Sequence, residues 1–114
     1  MDLTALETTA GALGDEAILA TVTDGATPHL VSVIVRWRDG RIEAGAGRRT
    51  AANIAARPSV TLLWPTRHAD AYRLIVDGDA TVTGETITVT PTFAVLHRIA
   101  GATGDGPTCL PVES

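Results

Sequence analysis

The sequence predicts a mainly β domain: a small barrel or sandwich of about six strands, with an N-terminal helix and a short internal helix. Three observations carry this. Apolar residues alternate with period two in several segments. Asp-Gly and other glycine-containing turns separate those segments at hairpin spacing. Helical spacing appears only at the N-terminus and in one alanine-rich run. At 114 residues the chain is long enough for one core and too short for two.

Taken in order, Leu3, Leu6, Ala10 and Leu13 recur at helical spacing, with Asp2 or Thr4 as N-cap and Gly11 and Gly14 near the end. "AILATVT" (17–23) reads as a strand ended by Asp24-Gly25. "HLVSVIVRW" (29–37) is the strongest strand. It places Val31, Val33, Val35 and Trp37 on one face and Leu30, Ser32, Ile34 and Arg36 on the other. Both faces are partly apolar, so one is expected to line the core and the other to meet a partner or ligand. Asp39-Gly40 is a hairpin turn into "RIEAGA" (41–46). "SVTLLW" (59–64) is a short buried strand closed by Pro65, and "TRHADA" (66–71) reads as a loop. "YRLIVDGDATVT" (72–83) alternates again, with a bulge or bend at Asp77-Gly78. "TITVTP" (86–91) is a Thr-rich strand, and "TFAVLHRIA" (92–100) fits either a helical turn or a strand end. Residues 1–100 are read as the domain and 101–114 as a loosely structured tail, in which "CLPV" could dock.

Composition excludes several classes. With 45% hydrophobic and 19% charged residues, the chain is globular rather than disordered. A net charge of −4 argues against nucleic acid as a partner. The basic residues are all arginine, from which no function follows. No segment is both long and apolar enough to span a membrane as a helix, and the acidic start lacks the order of a secretory signal, so a cytoplasmic location is expected. Cys109 is the single cysteine, which rules out an internal disulfide and a multi-cysteine metal site. His29, His68 and His97 show no metal-ligand spacing, and no serine sits in a nucleophile elbow. No catalytic residue can be named.

The stretch that carries chemistry is "GAGRRTAANIAARP" (45–58). Pro58 stops a helix by Arg57, Ala51 to Ala56 favour helix, and Thr50 is a suitable N-cap. Gly45 and Gly47 let the backbone turn sharply from strand to helix. Arg48 and Arg49 then lie just before a helix N-terminus, where free amides and the dipole favour an anion. Two guanidiniums, a hydroxyl and those amides suit a phosphate, with Asn53 as a further donor. Solvated surface arginines explain the same residues as well. The pattern is neither a P-loop nor a dinucleotide fingerprint.

The run "PHLVSVIVRWRDGRIEAGAGRRTAANIAARPSVTLLWP" (28–65) resembles the pyridoxamine 5′-phosphate oxidase-like family of flavin-binding split barrels. The likeness is a pattern over most of residues 17–83: a "T.DG..P" turn, a long second strand, an acidic-Gly hairpin, a basic turn into a short helix, and "P.V.LLW". The resemblance implies a six-stranded split barrel, a homodimer, and FMN near the subunit interface. It places the phosphate on Gly47, Arg48, Arg49, Thr50 and Asn53. Arg49 matches the family's phosphate-binding arginine, and Thr50 falls where the oxidases often have lysine. The ring is expected along Ser32, Val33, Ile34 and Val35, followed by Arg36; Trp64 is expected first as a core residue at the barrel end and second as a contact at the flavin edge.

Two departures count against vitamin B6 oxidation: Thr50 removes a charge, and the tail lacks the family's arginine-containing C-terminal segment. A deazaflavin is the alternative cofactor, and heme a remote one, with His97 as its axial candidate. The expected function is two-electron redox chemistry on a small organic substrate, the flavin ring carrying the hydride. The rival readings are a non-catalytic flavin- or heme-binding module and a degenerate member with an empty groove.

Overall fold

A computed structural model describes residues 1–69 and 71–112. The chain forms α1 (Leu3–Ala12), β1 (Glu16–Val22), β2 (Pro28–Arg38), β3 (Arg41–Gly45), α2 (Arg48–Ala56), β4 (Ser59–Leu63), β5 (Tyr72–Thr83), β6 (Thr86–Arg98) and β7 (Cys109–Pro111). The strands run in the order β3-β2-β1-β4-β5-β6, and β3 also pairs with the first half of β6, which closes a six-stranded antiparallel barrel. The second half of β6 pairs instead with β7, which lies outside the barrel. Between the two sequence alternatives, barrel and sandwich, the closing β3–β6 ladder decides for the barrel. No helix among the described residues is long and apolar enough to cross a membrane.

The period-two pattern produces the core directly. Ala17, Leu19, Val33, Val35, Ile42, Ala44, Val60, Leu62, Leu74 and Val76 all point inward and are buried. Asp39 and Gly40 both adopt positive φ, 51° and 75°, as a two-residue hairpin turn of the primed type requires. The irregularity expected at Asp77-Gly78 is present: Asp77 faces Phe93 whereas Gly78 faces Pro91, so Thr92 is the extra residue of a bulge. Pro91, which has no N–H to give to a ladder, sits beside that bulge. Residues 92–98 continue β6, so the ambiguous segment is a strand, and "CLPV" docks through β7 with Val112 buried.

A helix closes each end of the barrel. Asp2 caps α1, accepting from the amides of Thr4 and Ala5, and the helix buries Leu6 and Ala10 beneath it. The second helix differs from the sequence expectation. Thr50 is not its N-cap: Gly47 holds that position in extended geometry, and the helix starts at Arg48. Arginine is a good helix former, so the two arginines extend the helix N-terminally as its first turn. Thr50 turns inward with Asn53 and Ile54 as the buried stripe at i, i+3 and i+4. Burial of an Ile of this kind contributes about 1.5–3 kcal/mol.

Candidate functional site

The path from β3 to α2 leaves two sets of hydrogen-bonding groups open to solvent. The first lies on β2. The Val35 amide donates to the Asp15 carbonyl and the Thr23 amide to the Thr27 carbonyl, which makes the odd residues of β2 the ones that bond β1. The even residues therefore direct their N–H and C=O groups to the opposite edge. There β3 pairs with Val35–Arg38, and no described strand faces Leu30 and Ser32. Leu30 and Ser32 thus present free backbone donors and acceptors along one edge, with the Ile34 N–H at its end, while the Ile34 carbonyl is taken up by Gly45 where β3 begins to pair. Their side chains project outward: Leu30 and Ile34 are 64% and 60% exposed.

The second set is the start of α2. Its first intrahelical bond runs from Ala51 N–H to Gly47 C=O, so the amides of Arg48, Arg49 and Thr50 have no helical acceptor. No side chain caps this end and no acidic residue occupies its first turn. Arg48 and Arg49 are exposed, and neither forms an ion pair among the described residues. An open depression of about 560 Å³ lies against this turn, lined by Ala46, Gly47, Arg48, Ala51, Gly84 and Glu85. A Cβ at Gly47 would meet nothing within 4 Å. Gly45 and Arg48 are joined by three residue steps, at most about 10 Å of extended chain. The open helix end therefore lies near the Ile34 end of that edge, where β3 leaves β2.

The remaining predicted residues fall elsewhere. Val33 and Val35 point into the barrel, and their N–H and C=O groups belong to the β1–β2 ladder. Arg36 is exposed, 3.7 Å from Glu43 across the β2–β3 pair, and Arg38 approaches the same carboxylate at 3.6 Å. Thr50 is buried at 3% exposure with its amide, not its side chain, at the open helix end. Asn53 is 6% exposed and its amide donates to Thr21 Oγ1 at 3.0 Å. Trp64 is wholly buried, its indole N–H given to the Gly14 carbonyl at the α1 end of the barrel, which is the core role. His97 is exposed at the far end of β6, opposite Arg73 and Cys109.

Two further residues, one lining the depression and one beneath the helix, carry no mark in the sequence. Glu85 sits in the "TGET" turn, whose proximity to α2 depends on the β3–β6 closure. Thr21 is one Thr among many, distinguished only by its partner.

The outer face of the sheet is unusually apolar. Register aligns Ile18, Leu63, Ile75 and Val95 in one row across β1, β4, β5 and β6. Leu30, Ile34, Phe93 and Val22 add exposed apolar surface beside it.

No protein-family model matches the chain. Two uncharacterized proteins, from Mycobacterium bovis and Mycobacterium tuberculosis, are each 40% identical over 109 residues, covering 81% of this chain and 75% of their own length. Among solved structures, a Clostridium acetobutylicum protein of the pyridoxinephosphate oxidase family superposes with a TM-score of 0.66 (10% identity, 86% of this chain, 91% of that one). A FAD-binding protein of Mesorhizobium loti gives 0.62 (11%, 82%, 90%) and an F420 reductase 0.58 (18%, 73%, 93%). A heme-binding protein of Mycobacterium smegmatis gives 0.66 (14%, 90%, 56%). The chain belongs to the family of the two mycobacterial proteins, and its fold is the pyridoxamine 5′-phosphate oxidase-like split barrel.

Proposed function

We propose that the protein binds a phosphorylated flavin, FMN or a deazaflavin, and serves two-electron redox chemistry on a small organic substrate. The observation that carries this is the pairing of two open sets of groups. An uncapped helix end with two unpaired arginines among the described residues accepts a phosphate. The free β2 edge at Leu30 and Ser32, with the Ile34 N–H beside it, presents donors and acceptors to a flat heterocycle. Arg48 and Arg49 supply charge, the amides of residues 48–50 supply direction, and Leu30 and Ile34 supply apolar contact to a ring. A flavin, when bound, supplies the hydride chemistry itself, so the chain needs no acid or base of its own. Its contribution is to hold and orient the ring and to exclude water. Glu85, in the same depression as Arg48, limits how much negative charge the groove accepts.

The fold-mates that bind FAD or heme, or act as an F420 reductase, support a cofactor-binding barrel. Heme is the less favoured ligand because His97 stands at the far end of β6 from the open helix end. The apolar row on the outer sheet face supports a second copy of this chain as partner, which would cover Ile18, Leu63 and Ile75. The cofactor then lies near the border between the copies, since the β2 edge bounds the same face.

The test is a titration of cofactor-stripped protein with FMN in phosphate-free buffer, followed by flavin absorbance and fluorescence. Saturable sub-micromolar binding supports the reading. A protein that ignores FMN but takes a deazaflavin selects the second cofactor. Failure with both contradicts the proposal and leaves a barrel with an empty groove.

A further inference from the structure

Three buried or half-buried polar groups run beneath the proposed site without belonging to it. Asn53 on α2 donates to Thr21 Oγ1 on β1 at 3.0 Å, and Thr21 Oγ1 stands 3.5 Å from Nδ1 of His29 on β2. Thr21 is 2% exposed and Asn53 6%. Thr21 and His29 are directly opposed in the β1–β2 ladder. A hydroxyl has one proton and two lone pairs, so Thr21 can accept from Asn53 and still offer its proton to His29. The chain of contacts therefore joins the helix that carries the arginines to the strand that carries the free edge.

Geometry gives this link a consequence. Arg49 and Asn53 are separated by four residues on α2 and lie on the same side, one turn apart. Together with the burial of Thr50 and Ile54 on the same inner stripe, the bond to Thr21 sets how far α2 is rotated about its axis, and so where Arg49 and the open amides point. The other side-chain tie, from Arg57 to the Val22 carbonyl (2.9 Å) and to Asp24 (2.7 Å), holds the helix at its opposite end. That tie leaves the Asn53–Thr21 bond as the side-chain hydrogen bond nearest the first turn, beside the apolar contact of Ile54. On the strand side, His29 immediately precedes Leu30, where the free edge begins.

We infer that Thr21 is a positioning residue that sets the first turn of α2 against β2, so that one ligand can engage the phosphate groups and the strand edge together. This rests on the flavin reading proposed for the same groove. Thr21 touches neither part of the ligand. Its loss affects the phosphate contribution selectively, because the β2 edge is held by its ladder to β1 whereas this bond helps to hold the helix end.

The experiment compares FMN with riboflavin, which lacks the phosphate, in titrations of the stripped full-length protein. Thr21→Val removes the hydroxyl at constant volume, and Thr21→Ser restores it. The expected result is that Thr21→Val weakens FMN binding about five- to tenfold, the equivalent of one neutral hydrogen bond, and leaves riboflavin affinity unchanged. Thr21→Ser should recover most of the FMN affinity. Asn53→Leu removes the same bond from the helix side, and serves if Thr21→Val fails to fold. Equal weakening of FMN and riboflavin, or no change in either, overturns the inference and leaves Thr21 a packing residue. A wild-type protein that does not distinguish FMN from riboflavin overturns the phosphate reading itself, and this inference with it.

Discussion

The indole N–H of Trp64 donates to the carbonyl of Gly14, 3.2 Å away, and locks the end of β4 to the turn that follows α1. With its ring fully enclosed, Trp64 serves the core at the end of the barrel opposite the open helix end. Trp64→Phe should lower stability by about 1–3 kcal/mol, through the lost hydrogen bond and unfilled volume. FMN affinity should stay within about twofold, because the indole reaches no part of the groove. Chemical denaturation and a flavin titration on the same variant check both halves, and a large loss of affinity would restore Trp64 to the site.

Gly78 has no substitute at the β-bulge. A Cβ there would stand 2.6 Å from the Thr90 carbonyl oxygen and 2.6 Å from Val89 Cγ1, in the longest ladder of the barrel. Gly78→Ala should destabilise by about 2–4 kcal/mol or prevent folding, since backbone must move to admit the methyl. A thermal melt close to the wild type's would show that the bulge yields more easily than its geometry implies.

Gly47 separates stability from binding. Its extended backbone suits any residue, and Asp there would cap α2, accepting from the amides that now face solvent. Gly47→Asp should raise stability by a few tenths of a kcal/mol while weakening FMN at least several-fold, because the carboxylate competes for the same donors. Denaturation midpoints and flavin titration, read together, test whether these amides hold the anion. Stability and affinity rising together would refute it.

The apolar outer face predicts self-association. Leu30, 64% exposed and beside the Ile18 row, is the position where a charge should be least compatible with a second copy. Light scattering should give a dimer mass for the wild type and a monomer mass for Leu30→Asp, with circular dichroism unchanged. A monomeric wild type would exclude the dimer.

Most of the strand pattern is legible in the sequence because one buried face forces alternation: Val31, Val33, Val35 and Trp37 announce β2 by their spacing alone. The two Asp-Gly turns and the bulge at Asp77-Gly78 are legible for a similar local reason. The start of α2 is not, because Thr50 is a good cap by residue type and its inward turn depends on what lies beneath the helix. Asn53 carries an ambiguous signal as well. A polar residue on a short helix fits an anion site or a buried bond equally, and only its proximity to Thr21 decides. The free edge of β2 is illegible in principle. It depends on where β3 stops pairing and on which parity of β2 bonds β1, and neither is a property of the residues themselves. The strand assignment of 92–98 needs β5 and β7 as neighbours, since its apolar run fits helix and strand alike.

The proposed function stands or falls on Arg49 and the open amides at the start of α2 as the holders of a phosphate. The decisive comparison is FMN affinity of the stripped protein before and after Arg49→Ala, in phosphate-free buffer, on protein shown to be folded. Arg49 is exposed and unpaired among the described residues, so the substitution should leave stability within about 0.5 kcal/mol of wild type. FMN affinity should fall by more than about tenfold, as expected for a lost charged hydrogen bond. Unchanged affinity in the folded variant would contradict the phosphate site, and would return the paired arginines to the status of solvated surface charges.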